Sequence, residues 1–263
     1  MAGPTTAERQ QKKSGPPRPP RVRRMRVPRT RLLIVALVLA LLLTGGGVWV
    51  LYGSQWLRLE RVTISGTRVL TPEEVREAAD APVGDPLISV DTDALEGRLR
   101  SKLPRIDSVD VVRSWPHGIG LKVTERKPVL LIEKGGKFVE VDAKGVRFDT
   151  VERAPKGVPH LELTPDHENG AASLRRFGPD RLLREAVRVA GDLPEAVAKD
   201  TRNVKVRSYD SISLELSGGR DVAWGSGEKG RAKASALLAL MKTTPKARHF
   251  DVSVPTAPAS SGS

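Results

Sequence analysis

Residues 225–230, GSGEKG, have the glycine spacing of a phosphate-binding loop. They follow a strand-like stretch and open a helical pattern, and Asp251 lies 21 residues beyond the last glycine, as in dinucleotide-binding folds. Two features argue against a nucleotide site. The preceding strands form a hairpin pattern instead of a parallel strand–helix–strand unit, and Arg231 and Ala232 stand where a P-loop needs Lys and Ser or Thr. The segment therefore indicates a turn between a strand and a helix.

A second group of side chains has the donor types of a metal site. The group is His160, Glu162, Asp166, His167 and Glu168. Their spacing matches no standard zinc pattern, so a solvated loop is predicted. No G-x-S-x-G segment occurs, and Glu125 with Arg126 is interpreted as an ion pair at the end of a sheet. We therefore expect no enzyme, no cofactor, no metal and no small-molecule substrate.

The positive charge is concentrated at the N-terminal end. The 263 residues carry 44 Lys and Arg against 31 Asp and Glu, a formal net charge of +13. Residues 1–31 hold ten basic residues and one acid, and their Pro- and Arg-rich composition predicts a disordered tail. The tail has no aromatic side chains to stack on bases, so contact with anionic lipid explains its charge better than nucleic acid does. The chain has no cysteine, which excludes disulfides.

The run from 32 to 57 contains no charged side chain. Residues 32–52 would span about 30 Å as a helix, enough to cross a bilayer. The preceding basic tail predicts a single-pass type II anchor with a cytoplasmic N-terminus and the remaining domains outside. A cleaved signal peptide is the alternative, but the basic region is long and no small-x-small cleavage site follows the apolar run.

Residues 57–126 have the order strand, helix, helix, strand, strand. Val62 and Ile64 alternate with polar residues, and Thr71, Pro72 and Glu74 form a helix start with a capping box. A second capped helix and a hairpin around WPHG, residues 115–118, follow. Two helices on one face of a three-stranded sheet make a complete small domain.

Residues 127–255 indicate an α+β domain with a mostly antiparallel sheet. One helix has Leu182, Ala186, Val189 and Leu193 on its buried face, and a second has Ala234, Leu237, Leu238 and Met241. HFDVSV, residues 249–254, reads as a final strand that Pro255 ends. Residues 256–263 have no apolar pattern and are predicted to be a flexible tail.

Several segments resemble one family. They are VTISGTRVLTPEEV, GDPLISVD, LPRIDSVDVVRSWPHGIGLKVTERKPV, DVAWGSGEKGRAKASALLAL and FDVSVP. The most specific element is the mutual spacing of Arg113, Pro116, Ile119, Val123, Glu125, Arg126 and Pro128. Together with the basic tail and the anchor, they resemble the bacterial FtsQ/DivIB cell-division proteins. The resemblance implies a POTRA domain at 57–126 followed by an FtsQ/DivIB-type β domain.

The resemblance also implies a function in cell division. It predicts an essential scaffold of the divisome at the division septum, which binds FtsB/DivIC-like and FtsL-like bitopic proteins. The scaffold would link Z-ring assembly to septal peptidoglycan synthesis by FtsW and FtsI. A POTRA-bearing export or translocation component is the alternative, and an enzyme acting on peptidoglycan comes third.

The family receives its FtsB-like partner on the last strands of the second domain. The matching residues are Phe250, Asp251, Val252, Ser253 and Val254. Alternation would place Phe250, Val252 and Val254 on one face and Asp251 and Ser253 on the other. The alternative is a strand that only completes the core.

Overall fold

A computed structural model describes residues 29–164, 176 and 178–262 and divides the chain into two compact units at Gly53. The first unit contains helix α1, Arg29–Gly53, in which residues 30–53 form the one helix of the described part that is long and apolar enough to cross a membrane. None of this apolar stretch is buried against protein. The prediction of an apolar N-terminal helix is confirmed.

The second unit begins with the POTRA-like domain. Thr71 starts α2: its hydroxyl accepts the N–H of Glu74 at 3.2 Å, and the Glu74 carboxylate accepts the N–H of Thr71 at 2.8 Å. Both helices pack on one face of a sheet whose central strand pairs in parallel with the first strand and antiparallel with the second. The predicted βααββ order is confirmed. The elements are β1 Arg61–Ser65, α2 Pro72–Ala79, α3 Thr92–Lys102, β2 Ile106–Ser114 and β3 Gly118–Glu125, in sheet order β1-β3-β2.

The second domain contains one nine-stranded sheet within the described residues. Five of its eight strand pairings are antiparallel and three are parallel, so the prediction of a mostly antiparallel sheet is confirmed. The strands are β4 Pro128–Lys134, β5 Lys137–Asp142, β6 Arg147–Val151, β7 His160–Leu163, β8 Thr201–Ser208, β9 Ser211–Leu216, β10 Arg220–Gly225, β11 His249–Asp251 and β12 Ala259–Ser261. Their order across the sheet is β12-β11-β10-β9-β8-β7-β4-β5-β6. The helices are α4 Pro179–Asp192, α5 Glu195–Asp200 and α6 Gly230–Thr243.

The helices bury most of the predicted side chains. Leu182, Ala186, Val189 and Leu193 all lie in the core. On α6 the prediction is wrong for Leu238, which is 44% exposed, whereas Lys233 is 2% exposed. Lys233 lies on the same buried face of α6 as Ala234 and Leu237. Apolar periodicity alone does not predict a charged side chain at such a position.

Two segments form strands that the sequence did not indicate. His160–Leu163, predicted to be part of a solvated loop, is β7 and joins β4 to β8. Ala259–Ser261, predicted to be part of a flexible tail, is β12 and pairs with β11. Both are short. Ala259–Ser261 has only small or polar side chains, and in β7 the alternation of Leu161 and Leu163 with polar residues covers only four positions, so the pairing partners identify both as strands.

The interpretation of Glu125 and Arg126 as an ion pair is wrong. The Glu125 carboxylate accepts backbone N–H groups of Arg68, Val69 and Leu70 at 2.7–3.1 Å and holds the chain between β1 and α2. Arg126 points to the second domain and binds Asp142. The two neighbouring side chains therefore serve different contacts.

A buried arginine joins the two domains. Arg105, between α3 and β2, is 7% exposed, and its guanidinium binds Glu140 on β5 at 2.5 Å and Asp149 on β6 at 2.5 and 2.9 Å. It also lies 5.2 Å from the centre of the Phe148 ring. Glu140 is 3% exposed, so its charge is compensated inside the protein instead of by water.

Beside it lies a more exposed set of charges. Arg126 binds Asp142 and, at 3.1 Å, Asp107, while Lys144 binds Asp107 at 2.5 Å. The Lys144 hydrogen bond, opposed in part by burial and helped by the charges of Lys144 and Arg126, lowers the pKa of Asp107. The junction therefore consists of two adjacent ion-pair sets that connect the α3–β3 side of one domain to β5 and β6 of the other.

We predict that Arg105→Met lowers the free energy of unfolding by about 3–5 kcal/mol, because it leaves the buried Glu140 charge unpaired. Arg147→Met is the matched control: it breaks the exposed Arg147–Asp180 pair on the same hairpin and should cost at most about 1 kcal/mol. Urea unfolding of the full chain in detergent, followed by the change in tryptophan fluorescence when the buried Trp224 becomes exposed, measures both.

The double variant Arg105→Met with Glu140→Leu should recover most of the loss, because it removes both buried charges. Equal effects of Arg105→Met and Arg147→Met would contradict the assigned role of Arg105.

Candidate partner-binding edge

The predicted partner residues surround β11, which is an inner strand. Its residues His249, Phe250 and Asp251 pair in parallel with β10 on one side and antiparallel with β12 on the other. The His249 ring nitrogen Nδ1 lies 2.5 Å from Asp221 Oδ1 on β10 and adds a side-chain contact to the parallel pairing. The outermost strand at this end of the sheet is therefore β12, so the prediction that HFDVSV is the final strand is wrong. The assignment of partner binding to residues 250–254 stays a prediction.

The five predicted residues divide into two sets. Phe250 is 2% exposed and Val252 is 0% exposed, and both belong to the core of the second domain. Asp251, Ser253 and Val254 are exposed, with Val254 at 55%. The predicted common face of Phe250, Val252 and Val254 is wrong, because the strand ends at Asp251.

Asp251 ends the strand by capping the following turn. Its Oδ1 accepts the backbone N–H of Ser253 at 2.9 Å and the Ser253 hydroxyl at 2.6 Å. Local side-chain bonds of this kind compete with continued strand pairing. A substitution of Asp251 would alter the turn as well as any surface contact, so it is a poor probe of partner binding.

The outer edge of β12 presents open backbone groups at Ser260. Val252 N–H donates to the Ala223 carbonyl, and Arg248 carbonyl accepts from Asp221 N–H, so even-numbered β11 residues face β10 and odd-numbered ones face β12. By antiparallel alternation, Ala259 and Ser261 face β11, while the N–H and C=O of Ser260 face outward. The Ser260 hydroxyl lies 3.0 Å from that of Thr244, which fixes β12 to the end of α6.

A cavity of about 510 Å³ lies beside this edge. It is lined by Thr244, Pro245, Lys246, Ala247, Ser260, Ser261 and Gly262. An added strand needs backbone partners and, for selectivity, space for alternate side chains. The β12 edge and the cavity provide both, and sequence reasoning missed them because 256–263 carries no apolar alternation.

One sheet edge of the POTRA-like domain is blocked by side chains. The N–H of Val111, on the outer side of β2, donates to Glu96 Oε1 at 3.2 Å. Beside it, the Arg113 guanidinium donates to the carbonyls of Leu87 at 3.2 Å and Val90 at 2.6 Å. These contacts occupy the position that an added strand would need and protect β2 from edge pairing.

The glycine loop at 225–230 is filled from inside the protein. Lys233 Nζ donates to the carbonyls of Trp224 at 2.9 Å and Ser226 at 2.8 Å, and burial lowers the pKa of Lys233. A methyl group on Gly227 would overlap the Glu185 carboxylate, and one on Gly230 would overlap that of Asp192. The negatively charged carboxylates of Glu185 and Asp192 therefore occupy the space beside these glycines in which a phosphate-binding loop would hold its phosphate.

The group of possible metal ligands is only partly described. His160 and Glu162 lie on β7, and the His160 ring packs edge-on against Phe138 with centroids 5.3 Å apart. Asp166, His167 and Glu168 lie outside the described residues. Among the residues that the structure does describe, no group of three His, Cys, Asp or Glu is placed to hold a metal.

Comparisons with known proteins agree with this architecture. Residues 57–126 match the family model of the FtsQ-type POTRA domain, and residues 130–253 match that of the C-terminal domain of cell division protein FtsQ/DivIB. The chain belongs to the FtsQ/DivIB family of cell-division proteins. It is 72% identical over 267 residues to the cell division protein FtsQ of Streptomyces coelicolor, covering 100% of both chains.

More distant relatives carry the same name. Identity is 63% over 273 residues to FtsQ of Streptomyces venezuelae, covering 100% of this chain and 99% of the relative. It is 30% over 226 residues to FtsQ of Mycobacteroides abscessus, covering 86% and 68%. The chain is therefore a cell-division protein, and the alternative of an export component is set aside.

We predict that Gly227→Ala destabilises the protein by about 1–3 kcal/mol, because the added methyl displaces Glu185 in a packed region. Gly191→Ala on α4 is the control, since no atom lies within 4 Å of the added methyl and Ala favours a helix. Titration of the full wild-type chain with ATP or NAD should show no saturable binding. Micromolar nucleotide binding would contradict the assignment of this loop as a turn.

Proposed function

We propose that this protein is a scaffold of the divisome that binds an extended segment of an FtsB/DivIC-like protein along β12, together with an FtsL-like protein. The single observation that carries the proposal is the outward-facing backbone of Ser260 beside the cavity at the end of α6. Backbone hydrogen bonds supply affinity in strand addition, and neighbouring pockets supply selectivity. The exposed residues Asp251, Ser253 and Val254 border this edge and would contact the partner at its rim.

Because this protein and its partner would be anchored in the same membrane, a low-affinity contact at β12 would be sufficient for binding. A partner with its own membrane helix is confined to the same surface, which raises its effective concentration. Confinement to the membrane also lowers the risk of aggregation at an open strand edge, because the edge encounters unrelated chains less often. In this proposal the scaffold connects Z-ring assembly to septal peptidoglycan synthesis by FtsW and FtsI through contacts, without catalysis of its own.

The proposed orientation is that of a type II protein at the division septum. The ten basic residues in 1–31 favour a cytoplasmic N-terminus, so both folded domains would lie outside the cytoplasmic membrane. The basic tail would then also contact anionic lipid of the inner leaflet.

A reporter that is active only outside the cytoplasm tests this orientation. Fused after Ser263 it should be active, and fused before Arg31 it should be inactive. The opposite pattern would place both domains in the cytoplasm and contradict the proposed orientation.

For the partner edge, we predict that Ser260→Pro reduces capture of the FtsB-like partner by about two- to tenfold, because one neutral hydrogen bond worth about 0.5–1.5 kcal/mol is lost. Proline removes the outward N–H of Ser260, which β11 does not use, and keeps Ala259 extended. Membrane crosslinking and co-purification from dividing cells measure the effect.

Thr244→Val is the matched control, because it removes the same Thr244–Ser260 hydroxyl contact and leaves the β12 backbone intact. It should capture the partner as the wild type does. Wild-type capture by Ser260→Pro, with its melting temperature unchanged, would place the partner site elsewhere.

A further inference from the structure

Three large apolar side chains are exposed on, or directly before, the POTRA domain. Trp56, in the turn after α1, is 74% exposed. Val83, in the loop between α2 and α3, is 65% exposed, and Trp115, at the tip of the β2–β3 hairpin, is 49% exposed. Exposed side chains of this size are costly in water when they cluster, so their relative position matters.

The backbone holds these segments together at one end of the domain. Gly84 N–H donates to the Leu59 carbonyl at 2.8 Å, and Leu59 N–H donates to the Asp85 carbonyl at 2.8 Å. These two bonds fix the Val83 loop to the chain that follows Trp56.

The hairpin tip is bound to the same stretch of chain. Glu60 N–H and Arg61 N–H donate to the His117 carbonyl at 3.0 and 3.2 Å, which fixes the tip that carries Trp115. Residues 58–61 therefore support both the loop and the hairpin, and Trp56, Val83 and Trp115 form an apolar rim on one end of the domain.

The length of the chain limits how far this end can lie from a membrane. Trp56 follows the last residue of α1, Gly53, by three residues, and an extended chain covers at most about 3.6 Å per residue. Trp56 is therefore within about 11 Å of the helix end. The headgroup layer is on the order of 5–8 Å thick on each side of the bilayer, so Trp56 must lie in this layer or close to it. Tryptophan rings favour this layer because they combine an apolar body with an N–H donor.

We propose that the apolar rim is a membrane-surface contact, in which Trp56, Val83 and Trp115 enter the headgroup layer of the leaflet from which the chain emerges. The partner is a lipid surface. The contact would fix the tilt of the POTRA domain on the membrane and, through the buried Arg105 junction, the direction in which the second domain extends. The proposal depends on α1 spanning the membrane and is independent of the β12 edge.

The charges near the rim indicate an apolar contact without selection for anionic lipid. The segments that carry the rim hold two basic residues, Arg58 and Arg61, and two acidic ones, Glu60 and Asp85, so their formal charges cancel. Arg58 is already engaged with the Gly84 carbonyl at 2.6 Å. The contact should therefore form on neutral phosphatidylcholine and persist when the salt concentration is raised.

Because the chain has no cysteine, single cysteines can report the environment of each position. The full chain is placed in phosphatidylcholine nanodiscs, one chain per disc, with a spin label at Val83→Cys or Trp115→Cys. Collision rates with oxygen, which concentrates in lipid, and with a water-soluble nickel chelate are then measured. Val69→Cys is the control: Val69 is 64% exposed, and its N–H donates to Glu125 at the opposite end of β3.

The expected result is a several-fold higher ratio of oxygen to nickel collisions at positions 83 and 115 than at position 69, unchanged by added salt. Water-like collision ratios at 83 and 115, equal to that at 69, would overturn the proposal. So would labels that are water-exposed in the discs and protected only in cells, because that pattern assigns the rim to a protein partner.

Discussion

The arrangement of the folded unit depends on the compensation of one buried charge. Glu140, on an inner strand of the large sheet, is removed from water, and the guanidinium that neutralises it comes from Arg105 in the other domain. Removing water from either ion without the other would cost several kcal/mol, so the two domains stabilise each other only while they are docked. Hydrogen bonding to Asp149 and the ring of Phe148 fix the guanidinium further. These contacts require the Arg105 guanidinium to lie in one position, so they favour a single orientation of the POTRA domain relative to the second domain.

The two edges of the large sheet therefore differ: one docks the POTRA domain, and the other is the proposed partner edge. The POTRA domain contacts β5 and β6, which lie at one edge, and β12 forms the other. Eight strand spacings of about 4.8 Å separate β6 from β12, so the proposed partner edge lies about 38 Å along the sheet from the junction. A partner at β12 can therefore bind without disturbing the docked domains. In the POTRA domain, Glu96 and Arg113 block strand addition at the β2 edge of the three-stranded sheet.

Features that depend on neighbouring residues could be predicted from the sequence, whereas features that depend on pairing with residues distant in the sequence could not. The capping box at Thr71, the apolar face of α4 and the β2–β3 hairpin each follow from short-range patterns. The strand at Ala259–Ser261 has no pattern of its own and exists because β11 offers a partner. β7 has an alternating pattern, but over four residues only, and its pairing with β4 and β8 identifies it. Glu125 and Arg126 were assigned to each other because they are neighbours, although their partners lie 55–57 and 16–22 residues away. For the same reason the final strand was predicted at residues 249–254, one strand before β12.

The parallel pairing of β1 with β3 has a consequence for the order of assembly. Arg61 pairs with Gly118, so the first strand of the domain cannot find its place until the third has been synthesised. At about 5–20 residues per second, the ribosome needs on the order of 3–11 seconds to make the intervening chain. During that interval β1 is an unpaired strand close behind the apolar helix. The β2–β3 hairpin can form first, and arrival of Gly118–Glu125 then completes the sheet in a single late step.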